Sequence, residues 1–301
     1  MCHDNQAMAL DIHLTALDSA PLPSATVMLL RDAPAGLEVL MMRRHGDSTE
    51  LGGVYVFPGG KLDTLDLGAA AEGLDRPPAQ LQAELAEPDT PTDTAVGLYL
   101  AALRETVEEC GLLPGVPLSD AALFAMRQRL AAGESLAACL QQMALRAPTA
   151  SLLPWSRWIT PRLASVARRR FDTRFFVARA LDNQQARHDD HEATEAVWLT
   201  PREALGRFWD GGIDLAPPQI MCLVELAQLP DVDQVLATAR RRGPPLVQPE
   251  PHDQDGVRVI CYPGDARHSV RQPVWVGPTR LVQRNGRFEP EGGLAALLPA
   301  A

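Results

Sequence analysis

The sequence runs to 301 residues, 46% hydrophobic and 22% charged, a composition that argues against wholesale disorder and fits one enlarged domain or two. Its 38 acidic and 28 basic side chains leave a net charge of −10, the wrong sign for a general nucleic-acid or anionic-membrane binder, both of which need a basic surface. No stretch approaches the ~18 apolar residues of a membrane span, and the five scattered cysteines (Cys2, Cys110, Cys139, Cys222, Cys261) lack CxxC spacing, so neither a zinc site nor a disulfide framework is expected.

The segment Met1 to Leu17 mixes acidic and polar residues with short apolar runs and does not read as a secretory signal, and the cysteine usage makes a reducing cytoplasm the default setting. Ala25 to Leu30 and Leu37 to Met42 read as two strands joined by the turn Asp32-Ala-Pro-Ala-Gly36. Val54 to Phe57 is a third short run that Pro58-Gly59-Gly60 ends abruptly. Leu67 to Thr94 is rich in Ala, Pro, Asp and Glu and reads as an excursion with a short helix around Ala79 to Ala86. Asp93 or Thr94 is the expected N-cap of a helix running to Cys110, with Gly111 just past its end. Two helical patterns follow between Asp120 and Arg146, broken at Gly133. Thr173 to Leu181 and Ala196 to Leu199 read as strands, and Pro201 to Trp209, Gln219 to Leu229 and Gln234 to Arg242 as helices. Gly243 to Pro251 is Pro-rich and reads as a linker. The last fifty residues carry β-type runs at Val257 to Tyr262, Val274 to Val276 and Thr279 to Val282, with an Asn285-Gly286 turn.

The helix ending at Cys110 carries the chemistry. At about 100° per residue, Val96, Leu100, Leu103, Val107 and Cys110 form one stripe that should face a core. Glu105, Glu108 and Glu109 gather on the other side within an arc of roughly 100°, flanked by Arg104. Such a face is either a solvated acidic surface or a site for a hard cation such as Mg²⁺. The cation favours carboxylate oxygens, bridges to phosphate and relieves a mutual repulsion that a bare surface leaves unanswered.

Val56-Phe57-Pro58-Gly59-Gly60 followed by Arg104-Glu105-Thr106-Val107-Glu108-Glu109-Cys110-Gly111-Leu112 resembles the Nudix box, whose signature is G, five residues, E, seven residues, then R-E-U-x-E-E-x-G-U with U a bulky aliphatic. Every charged and glycine position of the second half is met, and Thr106 departs at the first aliphatic one. Gly60 opens the first half, Asp66 stands where the family has Glu, and Leu67 to Leu103 replaces the seven-residue spacer, so the box is split by an insertion. At Asp66 a structural or supporting role is expected rather than a direct catalytic one. Glu192, six residues before Trp198, resembles the family's extra acidic residue on the loop before the last core strand, with Glu195 as its rival. The neighbouring His188, Asp189, Asp190 and His191 are adjacent on one loop, where side chains rarely converge on a single ion.

Trp155-Ser-Arg-Trp-Ile-Thr-Pro161, Arg170-Phe-Asp-Thr-Arg-Phe-Phe176 and Trp198-Leu-Thr-Pro201 resemble the Nudix branch with a long insertion inside the box, which includes peroxisomal coenzyme A diphosphatases of animals and many bacterial relatives. The resemblance covers about residues 24 to 230. It implies an α/β fold, the Nudix-type α/β/α sandwich with a mixed sheet. The Nudix domain would span 20–242, with insertions at 67–94 and 114–150, followed by a linker and small β-rich C-terminal appendage over 243–301. It implies a metal-dependent hydrolase that cleaves the diphosphate of a nucleoside-diphosphate-linked small molecule such as coenzyme A or an acyl-CoA. Glu105, Glu108, Glu109, Glu192 and the Gly59 carbonyl would hold Mg²⁺ or Mn²⁺, Glu105 or Glu192 would be the general base, and Arg104 would orient Glu105.

Arg168 and Arg169, or Arg43 and Arg44, are candidates for a substrate phosphate, since guanidinium forks match phosphate oxygens. Trp155, Trp158, Phe175 and Phe176 are candidates to stack on an adenine but read first as core residues, and since Phe175 and Phe176 on one strand must point to opposite faces, at most one of that pair could stack. No nucleic-acid or membrane partner is expected. Family members are often dimers, which makes a homodimer a candidate assembly. The alternatives within the family are ADP-ribose, NADH and nucleotide pyrophosphatases. A non-catalytic nucleotide-binding module of Nudix fold is a further alternative, although such a module ought to have lost box carboxylates.

Overall fold

Two apolar runs around a Pro-Ala-Gly turn become a hairpin in the computed structural model, which describes residues 17–46, 48, 51–162, 169–187, 193–284 and 286–298. Strands β1 (Leu22–Ala33) and β2 (Gly36–Arg44) pair antiparallel with Ala33 opposite Gly36, and Gly36 takes φ +111°, a conformation that a side chain would strain. Then come β3 (Tyr55–Val56), β4 (Gly59–Lys61), α1 (Pro78–Glu84), α2 (Thr92–Cys110), α3 (Asp120–Ala131) and α4 (Leu136–Gln142). Next are β5 (Leu153–Ile159), β6 (Phe171–Arg179), β7 (Ala193–Leu199), α5 (Pro201–Trp209), α6 (Pro217–Leu226) and α7 (Val232–Arg241). The chain closes with β8 (Leu246–Val247), β9 (Glu250–Gln254), β10 (Val257–Cys261), β11 (Arg280–Arg284), β12 (Arg287–Glu289) and α8 (Leu294–Leu297).

The main sheet runs β3-β2-β1-β6-β5-β8, with β4 added beside β1 and β7 beside β2. It is mixed: β1 and β6, and β5 and β8, are parallel, whereas the other pairs are antiparallel. Both faces are covered. Val27 and Leu29 join the core beneath α1 to α4, while Met28 and Leu30 join the core beneath α5 to α7, all four inaccessible to solvent. That is why β1 and β2 read as continuous apolar runs rather than alternating ones. Phe176 enters the first core, 4.8 Å from Tyr99, and Phe175 the second, 6.3 Å from Trp158. The fold is thus an α/β sandwich of the expected class, and the four aromatic candidates serve its packing: Trp155 and Trp158 lie in the second core as well.

Helix α2 starts at Thr92 behind Pro91, not at the expected Asp93 or Thr94 cap, and no side chain caps it. Its end is as read: Gly111 is left-handed (φ 65°) and its N–H meets the carbonyls of Thr106 and Val107. Between Ala95 and Leu103 every side is buried, because the sheet packs on one flank and α1, α3 and α4 on the others. The amphipathic stripe therefore describes only the C-terminal turns. Thr106 fits its aliphatic position because its hydroxyl donates back to the Ala102 carbonyl at 2.7 Å.

The excursion 67–94 is clamped to the sheet. Leu81 and Leu85 enter the first core. Buried Glu87 accepts from Arg174 Nε at 2.9 Å and from Arg174 Nη2, and pairs with Arg157 at 3.0 Å. Strand β5 was not foreseen: it contains Pro154, and its register slips between Pro154 and Ser156, which hides any period of two.

The C-terminal β-runs form a second sheet, β12-β11-β10-β9. The segment read as a linker supplies β8, which joins the main sheet, and the start of β9. Tyr262, Trp275, Leu281, Phe288 and Leu297 all belong to the second core, so this sheet is continuous with it. Val274 to Val276 is not a strand; Trp275 instead stacks on Trp158 at 5.9 Å, 7° from parallel. Asn285 of the expected turn lies outside the described residues.

Candidate active site

The site is built where β4 passes between β1 and α2. Gly59 pairs with Thr26, and Gly60 with Ala25. A Cβ on Gly59 would lie 2.4 Å from the Ala25 carbonyl oxygen, and one on Gly60 would lie 2.1 Å from Glu105 Oε1. The two glycines are therefore the condition for backbone, strand and acidic helix to meet. The Gly59 N–H donates to Glu109 Oε2 at 2.9 Å, which holds that carboxylate against the strand although Glu109 is only 6% exposed.

Arg104 sits at the centre of the acidic side chains. Its Nε and Nη2 grip Asp66 with both bonds at 2.9 Å, Nη1 reaches Glu105 Oε1 at 2.8 Å and Glu108 Oε2 at 2.7 Å, and Nη2 also donates to the Lys61 carbonyl at 3.0 Å. Burial alone would lower the pKa of this guanidinium, but the Asp66 hydrogen bonds and the charges of Glu105, Asp66 and Glu108 outweigh it and push the value up. Asp66 is 2% exposed and also accepts from the Asp63 N–H at 2.9 Å, closing a short 3₁₀ turn. Its contacts are those of a support for Arg104.

The protein's own groups already offset the repulsion among the three glutamates that pointed to a bound cation. Arg104 bridges Glu105 and Glu108, and a backbone N–H takes up Glu109. In this arrangement no three His, Cys, Asp or Glu side chains form a ready-made metal group among the described residues. The donor set nonetheless suits a hard divalent ion. Glu105, Glu108 and Glu109 line one wall of a single open cavity of about 460 Å³ together with Gly59 and Gly60.

The same cavity is lined by Arg44, Lys61 and Arg169, so cations and carboxylates face one space. Lys61 is the chain's one lysine. Of the arginine pair on β2, only Arg44 reaches the cavity. Arg43 is exposed and lies near Tyr55 and Asp214, as strand alternation requires of neighbours. Glu195, the rival acidic residue, does not line the cavity either; it accepts from the Tyr55 hydroxyl at 2.6 Å. Burial, helped by Glu195, pushes the Tyr55 pKa up to about 12. Arg168, Glu192 and the His188 to His191 run lie outside the described residues.

Sequence reasoning missed several polar groups on the cavity wall, Lys61, Thr26, Ser24, Thr173 and Gln219 among them. Ser24 and Thr173 share a hydroxyl–hydroxyl bond of 2.7 Å, and Gln219 contributes a side chain from α6. The latter follows two prolines that start a helix, a local signal with no chemistry attached.

Residues 15–226 match the family model described as NUDT19 Nudix domain. The chain is 29% identical over 243 residues to the acyl-coenzyme A diphosphatase NUDT19 of Gallus gallus, an alignment covering 67% of this chain and 64% of that protein. It is 26% identical to the protein of the same name from Xenopus laevis, over 83% of this chain and 79% of that protein. Among solved structures, a NUDIX hydrolase from Alicyclobacillus acidocaldarius superposes with a TM-score of 0.54 at 27% identity, covering 73% of this chain and 97% of that one.

Proposed function

The chain belongs to the Nudix family through its NUDT19-type domain, and from that premise we propose that it hydrolyses the diphosphate of coenzyme A or an acyl-CoA with Mg²⁺ or Mn²⁺. The single observation that carries this reading is the cavity whose lining three box carboxylates and Gly59 share with Arg44, Lys61 and Arg169. A diphosphate ester is anionic at every phosphate. It needs cations on one side and, on the other, carboxylates that hold a metal against it. The alignment with the chicken protein leaves about a third of that protein's length unmatched, so the activity rests here on the site itself.

Glu105, Glu108, Glu109 and Gly59 would hold the ion, with Glu192 as a further ligand. The ion supplies charge neutralisation of the diphosphate and a more acidic water when bound. Glu105 or Glu192 would accept a proton from the water that attacks phosphorus. The bridging P–O bond breaks, and two phosphate monoesters leave. Arg104 positions Glu105 and Glu108 and is itself held by Asp66. Arg44 and Arg169 bind substrate phosphate, and with Arg168 they are the candidates for the 3′-phosphate of coenzyme A. The cytoplasm is proposed as the setting, in keeping with Cys110, Cys139, Cys222 and Cys261 as buried thiols.

Incubation with Mg²⁺ or Mn²⁺ and a panel of coenzyme A, acetyl-CoA, ADP-ribose and NADH, with products resolved by mass, tests the reading. Release of 3′,5′-ADP from the coenzyme A compounds, faster than cleavage of the other two, is expected. Cleavage of none of them with either metal would contradict it.

A further inference from the structure

Gln219 is the third residue of α6, set by Pro217 and Pro218 at the helix start. Its neighbours Ile220 and Met221 are fully buried in the second core, so the backbone that presents it is fixed. The side chain lines the catalytic cavity and is 7% exposed, yet its Oε1 is buried without a hydrogen-bond partner. A buried carbonyl oxygen left unpaired costs free energy, and a ligand that brings an N–H to it recovers that cost. The charged lining residues suit phosphates and a metal, and Ser24 and Thr173 satisfy each other.

We propose that the Gln219 carboxamide reads the adenine base of the nucleotide, its oxygen accepting from the 6-amino group and its nitrogen donating to an adjacent ring nitrogen. A carboxamide offers an acceptor and a donor side by side, and each hydrogen-bonding edge of adenine that includes the 6-amino group offers the complementary pair. The amides of a pantetheine arm do not: in a trans amide the N–H and C=O point in opposite directions, so one amide satisfies only one half of the carboxamide. Phe171, half-buried on the same cavity wall, offers apolar surface to a purine. This assignment rests on the proposed nucleotide diphosphatase reading and adds to it the residue that selects the base.

Affinities of ADP and of purine riboside 5′-diphosphate, which lacks the 6-amino group, are to be measured by calorimetry with Mg²⁺ for the wild type and for Gln219→Met. The wild type is expected to prefer ADP by about tenfold or more, and the variant by about onefold. Equal affinities in the wild type overturn the assignment whether or not the variant folds. So does a wild type that binds neither nucleotide, or a variant that keeps the preference. Diphosphate cleavage is followed separately. Discrimination without cleavage would overturn the hydrolase reading and leave Gln219 as the base reader, whereas cleavage without discrimination would do the reverse.

Discussion

Gly60 has room for a hydrogen and nothing larger on the side that faces α2. An added methyl group would sit 2.1 Å from Glu105 Oε1 and 2.5 Å from Glu105 Cδ, and the end of a flexible side chain yields before the backbone does. Gly60→Ala is therefore expected to displace Glu105 and lower kcat about 100-fold, while the melting temperature stays within a few degrees of wild type. An unchanged kcat would show that Glu105 works from another position. At this scale the sequence was legible where residue type and chemistry coincide. The carboxylates, Arg104 and the glycine pair could be named from spacing and from the Nudix resemblance, and Arg104 does contact Glu105. What lay beyond reach was pairing. Spacing on a helical wheel does not say that Asp66, far away in sequence, takes the Nε and Nη2 edge of Arg104. Gln219 carries no signal until a fold brings α6 to the cavity.

Elements were legible where the pattern reflects a single environment. Strand β1 is buried on both faces and so reads as an apolar run, and α5 begins and ends at Pro201 and Trp209 as expected. Strand β5 was missed, since a proline and a register slip break its alternation. The insertion 67–94 reads as patternless because its hold on the sheet is electrostatic as well as apolar. Glu87 meets Arg174 and Arg157, whose remaining carboxylate partner is Asp172. Arg174 and Glu87 side chains are 5% and 6% exposed, so removing Glu87 leaves the buried Arg174 with Asp172 as its one remaining carboxylate among the described residues. Glu87→Ala is expected to destabilise the protein by about 3 kcal/mol, measured by urea unfolding. A loss below about 0.5 kcal/mol, the scale of a surface pair, would mean that this contact does not anchor the insertion.

At the scale of the whole molecule, a mixed sheet divides two cores, and the C-terminal sheet closes the second through Tyr262, Trp275 and Phe288. A Pro-rich segment suggested a linker because local composition cannot register that Leu246 and Val247 pair with Arg157 and Trp158 on a distant strand. This architecture holds β4 and α2 against each other, and with them a cavity lined by both carboxylates and cations. In the proposed reaction the carboxylates of this cavity would hold a divalent metal against a diphosphate and so bring about its hydrolysis. Mg²⁺-dependent cleavage of coenzyme A by wild type, Glu108→Gln, Glu109→Gln and the double variant measures it most directly. Losses of roughly 100-fold or more in each single variant are expected, with folding retained, and wild-type rates in all three variants would contradict the account.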